Sequence, residues 1–170
     1  MSLFNSKDLA DIQQAYNQSK KNESDEKTKK IKEEELKGTI LNIFRDYARE
    51  TVKEAEKMNL TIKMSSDSRL FGKIKGVHLR KRHDGNWYPW LFVDVNGGLF
   101  NARIDYQRVN DNTFVNDRHL FGEIADILDF NPYHFVEQGD IVEKTKARAK
   151  QYFKQQLELM ASDRAKDGNR

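Results

Sequence analysis

The residues whose types come nearest to a reactive site lie in the run His78-Leu79-Arg80-Lys81-Arg82-His83-Asp84-Gly85-Asn86. A general-base histidine beside a metal-holding acid or asparagine is the chemistry of a metal-dependent nuclease. The spacing does not support it. His78 and His83 are five apart, no HxH or HxxxH pair puts two ligands on one element, and Asp84 and Asn86 are accounted for as turn residues. His119 and His134 are scattered elsewhere. Ser65, Ser66 and Ser68 have no GxSxG elbow, and the nine glycines form neither GxGxxG nor GxxxxGK. Asp94 and Asp105 share a face in the expected register, but lysines opposite them make surface ion pairs the simpler reading than a general acid and base. The chain has no cysteine, which removes thiolate nucleophiles, thiolate metal sites and disulfides. The expectation is a non-enzymatic chain with no catalytic residue, no metal and no cofactor. A metal-dependent nuclease is the remaining enzymatic alternative.

Two constellations suit binding instead. From Arg69 to Arg82 there are six cations and no acid, with Trp87, Tyr88 and Trp90 just beyond the turn. Cations interleaved with aromatics can hold a phosphate backbone and stack its bases. The nucleic-acid reading rests on Arg80, Lys81 and Arg82, joined by Lys146 and Lys150 from a cationic stripe near the C-terminus. The competing reading gathers Tyr88, Trp90, Phe92 and Arg103 on one sheet face, a composition that matches the energetic centre of protein interfaces. Either a larger protein partner, alone or within a nucleoprotein, covers that face or a helix of the same chain does.

The elements that would position these groups follow from turns and periodicity. Asp84-Gly85 and Asn96-Gly97 are the dipeptides that best tolerate positive φ at both central turn positions, so two type I′ hairpins are expected between Lys73 and Gln107. Counting outward places His78, Arg80, Arg82, Trp87, Leu91, Val93 and Phe100 on one face, and Val77, Leu79, Lys81, Tyr88, Trp90, Phe92 and Leu99 on the other. Leu36, Ile40, Ile43, Phe44, Tyr47, Ala48, Val52 and Ala55 recur at three- and four-residue steps, predicting a helix over Glu33 to Asn59. Further helices are expected over Arg118 to Leu128 and Asp140 to Ala161, and Thr61 to Met64 is a candidate short strand. The fold class is α+β, an antiparallel sheet of three or four strands with amphipathic helices before and after it.

Charge and composition set the boundaries. The net charge of +3 is too small to draw the whole molecule onto phosphate, so any nucleic-acid contact must be local. Lys20 to Lys37 holds seven lysines and six acids, a solvated stretch whose charges cancel. Residues 1–35 therefore read as a charged, flexible arm or helix, 36–161 as one domain, and 162–170 as a fraying tail. Within the arm, Leu3, Leu9, Ile12 and Tyr16 make a modest helical pattern, with Ser6 as the expected N-cap. No signal sequence or membrane span is read, so the expectation is a soluble cytoplasmic protein.

The segment Leu99-Phe100-Asn101-Ala102-Arg103-Ile104-Asp105-Tyr106, followed by Phe114, Arg118 and a helix through Leu120 and Ile124, resembles the strand-to-helix passage of some small bacterial toxin-immunity proteins. Size and Lys/Asn-rich composition are similar to those of small phage and mobile-element proteins. Both resemblances imply an inhibitor, immunity or accessory role.

Overall fold

The computed structural model describes residues 3–65, 73–101, 107–108 and 114–168. In chain order it contains α1 (Ser6–Lys57), β1 (Ile62–Ser65), β2 (Lys73–His83), β3 (Asn86–Asp94), β4 (Leu99–Asn101), β5 (Gln107–Arg108), α2 (Phe114–Ile127) and α3 (Ile141–Gly168). The strands form one antiparallel meander in the order β1-β2-β3-β4-β5, so the fold is α+β with helices before and after the sheet. The chain divides into a helical unit, Met1–Gly38, and a compact unit, Thr39–Arg170.

The first unit is helical throughout its described span from Ser6. Asn5, not Ser6, is the N-cap: its Oδ1 accepts from the Asp8 N–H at 2.8 Å, and Asp8 Oδ2 accepts from the Asn5 N–H at 3.1 Å. This reciprocal pair satisfies two orphan donors of the first turn. The charged stretch after Lys20 is helical as well, as good helix formers carrying both signs of charge allow.

In the compact unit, Ile40, Phe44, Ala48, Val52 and Ala55 of α1 are buried at the predicted three- and four-residue spacing. The helix ends at Asn59, which adopts φ 59° while the Leu60 N–H reaches back to the Ala55 carbonyl at 2.8 Å. α2 ends in the same way, with Asp129 at φ 57° and the Phe130 N–H on the Ala125 carbonyl. Both are left-handed caps made by Asn and Asp in place of the usual glycine. Ile141, Thr145, Ala149, Tyr152, Phe153 and Gln156 form the buried side of α3. That helix runs past the expected end at Ala161 as far as Gly168, and Asp163 is paired with Arg80.

The register differs from simple counting at both hairpins. Asp84 and Gly85 have φ 49° and 79°, and His83 pairs with Asn86, which is the expected type I′ turn. Pairing then runs Arg82 with Trp87, Lys81 with Tyr88 and Arg80 with Pro89, but the next pair is Leu79 with Leu91. Trp90 is an extra residue, a β-bulge, beside a proline that has no N–H to give the ladder. At the second hairpin only Gly97 has positive φ, the Gly97 N–H bonds the Asp94 carbonyl, and the Asp94 N–H bonds the Gly98 carbonyl. This is a three-residue loop with its glycine in the left-handed position, not a two-residue type I′ turn. It brings Val93 opposite Leu99 and Phe92 opposite Phe100.

Each one-residue slip exchanges the faces of the strand residues beyond it. Val77, Leu79, Leu91, Val93 and Leu99 therefore share one face and are all buried. His78, Phe92 and Phe100 share the other, with ring centroids 5.3 Å and 6.5 Å apart along the row. Neighbours Phe92 and Val93 point to opposite faces and are both fully buried, so the sheet has packed material on both sides.

Candidate binding surfaces

Two residues of the expected partner face, Trp90 and Phe92, are core in the folded chain. Trp90 is 4% exposed and Phe92 is fully buried, so neither is accessible to a partner, and this corrects the expectation of an open aromatic face. Trp90 packs on Phe44 of α1, with centroids 6.1 Å apart, and its indole N–H donates to the Tyr152 hydroxyl of α3 at 3.0 Å. Tyr88 remains at the surface, 47% exposed. Arg103 lies outside the described residues, as does Asp105.

The bulge explains why α3 docks where it does. Arg80 faces a proline across the pair, and its backbone is satisfied from the helix instead. Its N–H donates to Gln156 Oε1 at 2.7 Å, and its carbonyl accepts from the Tyr152 hydroxyl at 2.6 Å. Tyr152 and Gln156, one helical turn apart, thus take both main-chain groups of one strand residue. Burial pushes the Tyr152 phenol well above its ordinary range, the indole hydrogen bond only partly offsetting this.

The expected nucleic-acid residues separate into two groups. Arg80 forms an ion pair with Asp163, and Lys81 pairs with Glu123 and, at 2.8 Å, with Asp126. Burial works against the Lys81 charge, but the hydrogen bonds and fields of Asp126 and Glu123 outweigh it, and the net pKa shift is upward. These two partly buried cations are therefore committed to ion pairs within the chain. Arg82 is exposed with its guanidinium 5.9 Å from the Trp87 ring centroid. Lys146 and Lys150 are exposed on α3, Lys146 3.5 Å from Glu143.

His78, His83 and His134 do not converge. His78 is half-buried against Phe92, His83 is exposed 3.3 Å from Asp84, and His134 is exposed. Among the described residues no three acids or histidines are grouped to hold a metal ion. Asp94 serves its turn, accepting from the Asn96 and Gly98 N–H groups at 2.9 and 2.8 Å, while Lys75 pairs with Glu56 of α1.

Two further surfaces stand out. One is on α1, where Leu9, Ile12 and Tyr16 are 52%, 55% and 55% exposed at i, i+3 and i+7 in the largely polar stretch 6–30 of that helix. The other, which no sequence pattern singles out, is a cleft of about 450 Å³ bounded by the end of the β2–β3 hairpin, the end of α2 and the middle of α3. Arg148 anchors one wall, its Nη1 donating to the carbonyls of Leu128 and Asp129 at 2.9 and 2.7 Å. Cations close the negative end of a helix dipole in this way.

No protein-family model matches the chain, and no curated protein or solved structure shows significant similarity to it. Among the described residues no helix is long and apolar enough to cross a membrane.

Proposed function

We propose that this chain is a non-enzymatic binding module, an inhibitor or accessory protein of the cytoplasm that engages a larger protein through the N-terminal helix of its first unit. The exposed stripe Leu9, Ile12 and Tyr16 carries the reading. Anchors at i, i+3 and i+7 are the pattern of a helix that lies in a preformed apolar groove. The stripe gives way to Ser19 and Glu23 at the next seam positions. It is too short to hold two copies of the helix together, since a coiled coil needs about three to four heptads. A lipid surface is disfavoured because residues 5–19 carry Lys7 against Asp8 and Asp11, whereas membrane-surface helices are rich in basic residues.

The test compares the full chain with Leu9→Asp/Ile12→Asp/Tyr16→Asp for capture of a protein from host lysate treated with nuclease. Loss of capture in the variant, with an unchanged thermal transition of the Thr39–Arg170 unit, supports the reading. Equal capture by both chains rejects the helix as the engaging surface.

A further inference from the structure

The cleft between the β2–β3 hairpin, α2 and α3 has the size of a ligand site, about 450 Å³. We propose that it binds a nucleobase, presented either by a free nucleotide or by a single strand of nucleic acid.

The lining combines an aromatic plate with amides and few spare charges. Trp87 is partly exposed at the cleft, and the Arg82 guanidinium lies over its ring. Base stacking on an indole beside an arginine is sequence-tolerant recognition, because every base has a π-face. Gln151 and Gln155, one helical turn apart on α3, are exposed into the same space. Each amide both donates and accepts, which matches the mixed donor and acceptor edge of a base. Asp129 lies at the rim of the same cleft.

Charge argues for one phosphate at most and against a guest cation. Lys81 is balanced by Glu123 and Asp126, and Arg148 spends part of its fork on helix carbonyls. Arg82 has no carboxylate partner among the described residues and is placed to meet a phosphate attached to a stacked base. A ligand ammonium or guanidinium would enter a lining where three cations, Lys81, Arg82 and Arg148, outnumber two acids, Asp126 and Asp129.

The chain has two tryptophans, so the two indole N–H resonances of the nitrogen-labelled full-length protein are direct reporters. Trp87 lines the cleft and Trp90 is buried. The probes are the four ribonucleoside monophosphates, adenosine, a short single-stranded oligonucleotide, inorganic phosphate and a blocked arginine amide. The expected result is a saturable shift of the Trp87 signal with base-bearing probes, with Trp90 unmoved. Trp87→Leu should abolish binding. Arg82→Gln should weaken the monophosphates about tenfold while leaving adenosine little changed. Tighter binding of the oligonucleotide assigns the site to a strand, and tighter binding of the monophosphate assigns it to a free nucleotide. Absence of a saturable shift with every base-bearing probe overturns the proposal, as does a shift driven by phosphate alone or by the blocked arginine. If Trp87→Leu does not fold, Arg82→Gln and Gln155→Leu, both at exposed positions, decide the question.

Discussion

Pro89 faces Arg80 across the β2–β3 pair without an N–H to give, and Trp90 is the extra residue next to it. From this local defect come the inward turn of Trp90, the exchange of sheet faces beyond it, and the use of Tyr152 and Gln156 as main-chain partners. Tyr152→Phe would leave the Arg80 carbonyl and the Trp90 indole without that hydroxyl, at a cost of about 1–3 kcal/mol by urea denaturation. Trp90→Ala should cost about 3–5 kcal/mol, because a core aromatic is lost and a cavity is left. An exposed interface residue would cost almost nothing in the same measurement. His78 supplies a pH dependence. Burial, aided by the Arg80 charge, lowers its pKa below the ordinary 6.5. Well above that value His78 is neutral in both states. As the pH falls through it, the unfolded chain takes up a proton that the native chain resists, and stability is lost. Equilibrium unfolding between about pH 7 and 5 should show this loss, with a flatter profile in His78→Gln.

At the scale of elements, the C-terminal ends of α1 and α2 are legible in the sequence, while the end of α3 and the strand registers are not. Asn59 and Leu128 mark the expected ends of α1 and α2, and the structure places left-handed residues at Asn59 and Asp129. Asn59→Val should cost about 1–2 kcal/mol, the penalty for a β-branched residue in that conformation, whereas Asn59→Gly should be neutral or slightly stabilising. Denaturant midpoints of the two variants would separate the contributions. The type I′ turn at Asp84-Gly85 is also legible. Counting misplaces the register beyond it because it treats Pro89 as an ordinary strand residue, although a proline inside a strand is itself a signal of a bulge. Asn96-Gly97 misleads for a different reason: Asp94 caps the loop with its carboxylate, which favours a longer turn with one residue at positive φ. The basic run likewise reads as one surface, but Arg80 and Lys81 find acids on α3 and α2 that are 42 to 83 residues away in sequence.

On the scale of the whole chain, the two units should differ in local stability. Residues 6–38 have no large buried side chain, and a helix that is polar nearly all round depends on propensity and weak surface pairs. Amide hydrogen exchange should be fast there and slow in β3 and the first turns of α3, with the slowest amides reporting global unfolding. Uniform protection across both units would contradict this division. By itself the sequence determined the α+β class with helices before and after the sheet, the type I′ turn at Asp84-Gly85 and the apolar stripe of α1, because periodicity and turn chemistry are local properties. Only the tertiary structure decided that Trp90 and Phe92 are core, that Arg80 and Lys81 are paired with acids of α2 and α3, and that Arg82, Trp87 and Arg148 meet at one cleft. Each of those outcomes depends on a one-residue bulge and on partners far along the chain, and neither leaves a mark in the periodicity of the segment that carries it.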